Sequence, residues 1–373
     1  MSYSEKKYKI YKKLNSLFNK FFGYKVQYPV MLNDKNIDEY CKSNKIQLTT
    51  TYNSIHLSNT VAINLATDKW SIVNPIVEQD YTYILEIKDS NYYLSNHYLF
   101  NINHQPIADD RIVFDRSLIS QQYLPKRVKF LNGIICYLSN HWVENYYHWL
   151  QFALPLLQYY QNVIALTEID YFYIGDTKLR RFHIETLELF GIPPKKIVNY
   201  PCTSKHILFA FPYINSKCGD FIFRSYDDIE FIRKAVWSNT GKLVETIQQR
   251  RKIYIKRGAV KSRKLINEQE VESLLRQYGF FCTSMDNLSF LDQAFLFYNA
   301  DCIIGVHGAA LANLMFAKSG TTVIEIFPEN YKELSHFCTS YYRELVYYYL
   351  IAESRDYDLE VDINVLEHHL QLL

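Results

Sequence analysis

The residues best spaced to hold an anion lie in 301–328, DCIIGVHGAALANLMFAKSGTTVIEIFP. Gly305 and Gly308 remove side chains where a ligand must approach the backbone. His307 stands between them as a hydrogen-bond donor. The helix expected just beyond opens with unpaired N–H groups and a positive dipole end, which makes Ala309 and Ala310 candidates for binding an anion through their amides. Asn313 sits on the first turns of that helix. Glu325 leaves the following strand, where a carboxylate could accept from ribose hydroxyls. Together these groups suit a nucleoside diphosphate, although a glycine turn with a histidine satisfied by backbone carbonyls is an equally plain reading of the turn alone.

The elements that would position these residues follow from the hydropathy pattern. Cys302-Ile303-Ile304 is a continuous apolar run suited to a buried parallel strand. The chain turns at Gly305 and enters a helical segment over 311–317. Ser319-Gly320 stops it, and the β-branched run 321–326 forms the next parallel strand. This is strand, glycine turn, helix, strand, the unit of an open α/β sheet. Upstream, 252–256 reads as a strand ending at Arg257, followed by a loop with Lys261, Arg263 and Lys264. Cations at a strand end can neutralise a leaving diphosphate; a solvated basic loop accounts for the composition equally well. Asn267 caps a helix over 268–278.

Three stretches in order carry a family resemblance: NYYHWLQFALPLL at 145–157, RGAVKSRKLINEQEVESLLRQYGF at 257–280, and GVHGAALANLMF…GTTVIEIF. They resemble glycosyltransferase family 61, whose members are inverting enzymes. The likeness covers roughly 110–370. It implies an α/β fold of two Rossmann-like domains facing across a cleft, the GT-B arrangement. The implied reaction moves a sugar from a nucleotide sugar, UDP-linked, to a hydroxyl of a glycan or lipid-linked glycan, with no cofactor and no metal. The implied donor site is Arg257, Arg263, Asn267, His307, Gly308, Ala309, Ala310, Asn313 and Glu325. An inverting transferase needs a base near the acceptor hydroxyl. His148 is the first candidate and Glu144 the second. Many relatives carry a carboxylate four places after this histidine, where this chain has Phe152, so the family's pattern is broken at a position that matters for turnover.

The rest of the chain sets limits. With 373 residues there is room for two domains, and 48% hydrophobic content indicates a real core. A formal charge of +2 offers no field for nucleic acid. The seven cysteines form no C-x-x-C pair and read as buried thiols. No G-x-G-x-x-G follows a strand, which argues against a dehydrogenase. Asp356-Tyr357-Asp358 spells a metal motif, but in a charged tail with no strand end. Residues 1–25 alternate lysines with Ile10, Leu14, Leu17, Phe18, Phe21 and Phe22, a basic amphipathic helix able to lie on an anionic membrane surface. Neither a signal peptide nor a membrane-length apolar run is visible, which predicts a cytoplasmic protein, peripheral to the inner membrane face. The expected division is 1–25, then 26–225 as an acceptor-side α/β domain with an accessory β region, then 226–373 as the nucleotide-sugar-binding domain. Residues 26–105 suggest short strands and no chemistry.

Overall fold

The computed structural model describes residues 30–65, 72–109, 127–218, 221–240, 251–258, 262–331, 333–355 and 358–371. The amphipathic segment expected at 1–25, Lys261, and Asp356-Tyr357 lie outside the described residues. Among the described residues, no helix is long and apolar enough to cross a membrane.

The strands expected from continuous apolar runs form a mostly parallel C-terminal sheet. Its order is Phe281–Thr283, Lys252–Ile255, Cys302–Val306, Thr322–Pro328, Val346–Arg355, with Asp358–Glu360 added antiparallel. The first five are mutually parallel. Cys302–Val306 is buried along its whole length, as a strand covered on both faces must be. In chain order these strands stand second, first, third, fourth, fifth. The order therefore reverses between Lys252–Ile255 and Cys302–Val306, and the crevice beyond the carboxyl ends of that pair is where such sheets place ligands.

A second sheet has the order Ile197–Val198, Tyr171–Tyr173, Ile134–Tyr137, His206–Tyr213, Tyr81–Ile87, Gln47–Tyr52. Its first four strands are mutually parallel, Tyr81–Ile87 runs antiparallel to them, and Gln47–Tyr52 pairs antiparallel with Tyr81–Ile87. A third sheet, built around the hairpin of Tyr92–Ser95 and Tyr98–Asn101, packs beside it. The β-like runs of 26–105 thus serve several sheets. Ala62–Asn64 even crosses the expected boundary and pairs in parallel with Tyr347–Tyr349 of the C-terminal sheet.

The two halves share one core. A single buried cluster includes Trp149 and Phe172 from the N-terminal half and Phe316 and Tyr347 from the C-terminal half. The helix Tyr226–Thr240 bridges them: Arg233 Nη1 donates to the Met315 carbonyl, and Glu230 accepts from Arg343 Nη1 at 2.8 Å. Phe290 N, at the start of the helix Phe290–Tyr298, donates to Glu185 Oε2 at 2.8 Å. The chain then forms the helix Ser335–Tyr342 and the long strand Val346–Arg355. All seven cysteines are buried and free.

Candidate functional site

Gly308 is where the two sides of the switch-point crevice touch. A side chain there would put its Cβ 1.8 Å from Arg257 Nη1, so only glycine lets the guanidinium lie on this backbone. Arg257 is held for that contact: its Nε donates to the Arg263 carbonyl and its Nη2 to the Ser262 carbonyl, both at 3.2 Å. Arg263 has φ 58°, a left-handed conformation that costs a non-glycine residue roughly 1–3 kcal/mol and gathers at functional sites. Its guanidinium stacks 4.8 Å from the centroid of the Tyr331 ring. Burial, together with the neighbouring Arg263 charge, pulls the Arg257 pKa down to about 10, still fully charged at neutral pH.

The helical segment expected over 311–317 is a 3-10 helix, Ala309–Phe316. Apart from Asn313, AALANLMF is apolar, and the segment is buried from Leu311 onward. Ala309 and Ala310 at its start are half-buried, and their amides are its first turn.

His307, Asn313 and Glu325 lie deeper than expected. His307 is 3% exposed. Its Nδ1 meets Glu325 Oε1 at 2.5 Å, and its Nε2 is 3.4 Å from Glu333 Oε2. Glu325 spends its other oxygen on Tyr347 Oη at 2.5 Å, which leaves nothing for ribose hydroxyls. Burial favours the neutral forms of both partners, lowering His307 and raising Glu325. Asn313 is fully buried. It accepts from Tyr146 Oη at 2.7 Å and donates to Gln293 Oε1 and the Ala310 carbonyl, each at 3.0 Å. These three residues form the floor beneath the Gly308 turn, and as folded they do not face a ligand. Asn267 is likewise committed: it starts its helix without a side-chain cap bond, and its amide pairs both ways with the Val361 backbone at 2.8 and 3.1 Å.

His336 belongs to the same floor and was not singled out from the sequence. Its ring centroid is 5.0 Å from that of His307, and burial lowers its pKa to about 4, opposed by Glu325 and by the Gly308 backbone. His307, Glu325 and His336 bring ligand-type atoms within 4.8 Å of one another. Ligands of one small cation bonded at about 2.0–2.2 Å stand roughly 3 Å or more apart. The 2.5 Å contact between His307 and Glu325 is shorter than that, so these two are closed on each other, while the buried Nδ1 of His336 has no hydrogen-bond partner among the described residues.

The aromatic-histidine block reaches this floor from the other half. Asn145 caps the turn Tyr146–His148, accepting from Tyr147 N at 2.9 Å. Tyr146 bonds Asn313, and the Tyr147 ring stands edge-on to His336, 5.4 Å between centroids. The chain then makes a π-helical turn, Trp149–Ala153, a rare form frequent at functional sites. It places Phe152 stacked on His148, with centroids 5.7 Å apart and 28° between planes. Burial lowers His148 to about 4, so it is a neutral imidazole at physiological pH. Glu144 has a different fate. It accepts from Thr177 Oγ1, from Arg180 Nη2 at 2.7 Å and from Lys178 N at 3.2 Å. These bonds hold its pKa down at about 2 and keep it ionised at neutral pH.

Residues 146–324 match the family model described as Glycosyltransferase 61. This segment belongs to glycosyltransferase family 61. The family 61 segment opens at the Tyr146 turn and closes in the strand that carries Glu325. It contains His148, Arg257, His307, Gly308 and Asn313 and leaves Glu144 and Glu325 outside. Membership brings glycosyltransferase activity in general, with a sugar donor and a glycan acceptor. No curated protein matches the chain.

Proposed function

We propose that the chain is an inverting glycosyltransferase of the two-lobed GT-B kind that takes a UDP-linked sugar and transfers it to a glycan hydroxyl in polysaccharide or glycoconjugate synthesis. The observation that carries this is Arg257 lying on the side-chain-free backbone of Gly308 at the switch point of a parallel sheet. A diphosphate entering there meets the Arg257 and Arg263 guanidinium groups and the amides of Ala309 and Ala310. Planar guanidinium forks match phosphate oxygens, and such charge-assisted contacts are about twice as strong as neutral ones. His307, His336, Glu325 and Asn313 hold the turn from below.

In this reading His148 takes the proton of the acceptor hydroxyl. The hydroxyl oxygen attacks the anomeric carbon on the face opposite the diphosphate, and the bond from that carbon to the β-phosphate oxygen breaks. The departing UDP carries the electron pair, and the arginines offset its charge in place of a metal. Transfer should therefore persist in excess chelator. The test is calorimetric titration with UDP. Arg257→Ala and Arg263→Ala should each weaken binding about ten-fold or more, since a hydrogen bond to a charged group is worth roughly 1.5–3 kcal/mol. Unchanged affinity in both removes the donor-site assignment.

Phe152 favours a second reading, in which the protein binds a nucleotide sugar or a glycan without turnover. It occupies the place of a carboxylate and covers one face of His148. Release of UDP from a panel of sugar nucleotides separates the two: turnover supports the transferase, and binding without release supports the binding module.

A further inference from the structure

The ends of the second sheet carry a separate site. A cavity of about 380 Å³ opens beyond the strands Ile134–Tyr137 and Tyr171–Tyr173, lined by His97, His141, Trp142, Glu144, Asn145 and Thr177. That volume is at the lower end of small-molecule sites, about 300–1,000 Å³.

Its walls are fixed before any ligand arrives. The tip of the hairpin, Asn96-His97, has both residues at positive φ (47° and 68°), as a two-residue hairpin turn with primed geometry requires. Asp176 ties that tip down, accepting from Ser95 Oγ at 3.1 Å, Asn96 N at 3.0 Å and Tyr173 Oη at 2.8 Å. His97 packs so closely on Gly175 that a Cβ there would fall 2.0 Å from its Nδ1, and the same nitrogen meets Ser139 Oγ at 2.9 Å. On the opposite wall, Asn140 accepts from Trp142 N at 2.9 Å, and the Val143 carbonyl accepts from buried His183 at 2.9 Å. Thr177, Lys178 and Arg180 hold the Glu144 carboxylate as described above.

Two features define the ligand. Trp142 is 53% exposed although its backbone is pinned, so it presents a flat apolar face at the mouth. Among the described residues the lining holds one carboxylate, Glu144, already paired with Arg180, and neither lysine nor arginine, so it offers neutral hydroxyl groups hydrogen-bonding partners and no fixed positive charge of its own for a phosphate. A flat apolar face beside hydroxyl acceptors is the complement of a pyranose ring, whose C–H face is apolar and whose rim is polar. Trp142 also stands next to the candidate base, with its ring centroid 5.2 Å from that of His148.

We infer that this cavity is the acceptor subsite: it seats a neutral pyranose at the growing end of a glycan, ring on Trp142, hydroxyls on Glu144 and His97, with the next hydroxyl directed to His148. The inference rests on the transferase reading for the word acceptor, while sugar binding at Trp142 stands on the cavity alone.

The experiment is saturation-transfer NMR on the full chain with methyl pyranosides of the gluco, galacto, xylo and N-acetylglucosamine configurations, run beside a UDP titration. At least one pyranoside should show transfer to its C–H face. Trp142→Ala should reduce that signal at least five-fold, Trp142→Phe should keep part of it, and Glu144→Gln should weaken it less than Trp142→Ala. UDP affinity should be the same in all three variants. If no pyranoside of the panel responds, or the signal is indifferent to Trp142→Ala, the inference is overturned. If pyranosides bind through Trp142 while UDP does not bind at all, the sugar site stands and the transferase reading falls. Trp142 lies on an exposed turn, and unchanged melting of the variants confirms that they fold.

Discussion

Beyond the strand ends at Ile255 and Val306, polar side chains are buried against one another; beyond Tyr137 and Tyr173 they bond to one another around an open cavity. At the first end, His307, Glu325 and Tyr347 form one buried hydrogen-bonded set and Asn313 and Tyr146 another, and among the described residues Arg257, Arg263 and the first amides of the 3-10 helix lie above them. At the second, an exposed tryptophan, a held carboxylate and two histidines surround about 380 Å³. Both are carboxyl ends of parallel strands, the common location of ligand sites. The difference teaches what each end is suited to hold. A rigid buried floor presents fixed positive charge to an anion without reorganising. An aromatic, acceptor-rich cavity suits a neutral polyol. The segment Tyr146–Phe152 lies between them, touching the first floor through Tyr146 and Tyr147 and the Trp142 wall of the second cavity through His148.

That division of labour can be broken. The largest effect belongs to the link between the ends: His148→Ala should lower sugar transfer by about 10²–10⁴-fold, the usual contribution of a general base, and leave UDP affinity unchanged. Loss of UDP affinity in this variant would merge the two ends into one site. Next comes the anion end. Gly308→Ala forces the Arg257 guanidinium off the backbone, and because the colliding atom is the tip of a flexible side chain the fold should survive. Nucleotide affinity should fall about ten-fold, with pyranoside binding at Trp142 unaffected.

The smallest effect concerns the prop under the sugar end. His183 accepts from Arg180 N at 3.0 Å with Nδ1 and pairs with the Val143 carbonyl at 2.9 Å through Nε2, so its neutral form fits both partners. Burial lowers its pKa to about 4, below the about 6.5 of an unfolded histidine. The unfolded chain therefore takes up the proton first. The stability contributed by neutral His183 is complete above about pH 6.5 and is lost as pH falls toward about 4, with a slope of at most about 1.4 kcal/mol per pH unit. His336 adds a slope of the same sign, and raised Glu325 opposes it between pH 4.5 and about 7. His183→Gln supplies one donor and one acceptor without titrating. Melting curves from pH 7.5 to 4.5 should be flatter for this variant than for the wild type; parallel curves would show that His183 does not titrate as described.

What was legible from residues alone follows the same divide. The switch-point strands were readable because a doubly covered parallel strand must be continuously apolar, as Cys302–Val306 is. Glycine at 308 signalled a close backbone approach, and Arg257 is what approaches. The depth of His307 and Glu325 was not readable, since their burial depends on Tyr347 and the helix Ser335–Tyr342, whose aromatic sequence shows no clear period. Glu144 looked like a spare base because Thr177 and Arg180, which hold it ionised, come more than thirty residues later. The sugar end was almost invisible: His97 lies in a stretch without motifs, and only the third sheet, folded against the second, brings it to Trp142.

The most direct measurement is a crystal structure of the full chain with UDP. The account predicts diphosphate oxygens within hydrogen-bond distance of the Arg257 guanidinium and of the Ala309 and Ala310 amides, with His307 still paired to Glu325 beneath. A diphosphate seated at the Trp142 cavity, or anywhere that leaves Arg257 untouched on Gly308, would contradict it.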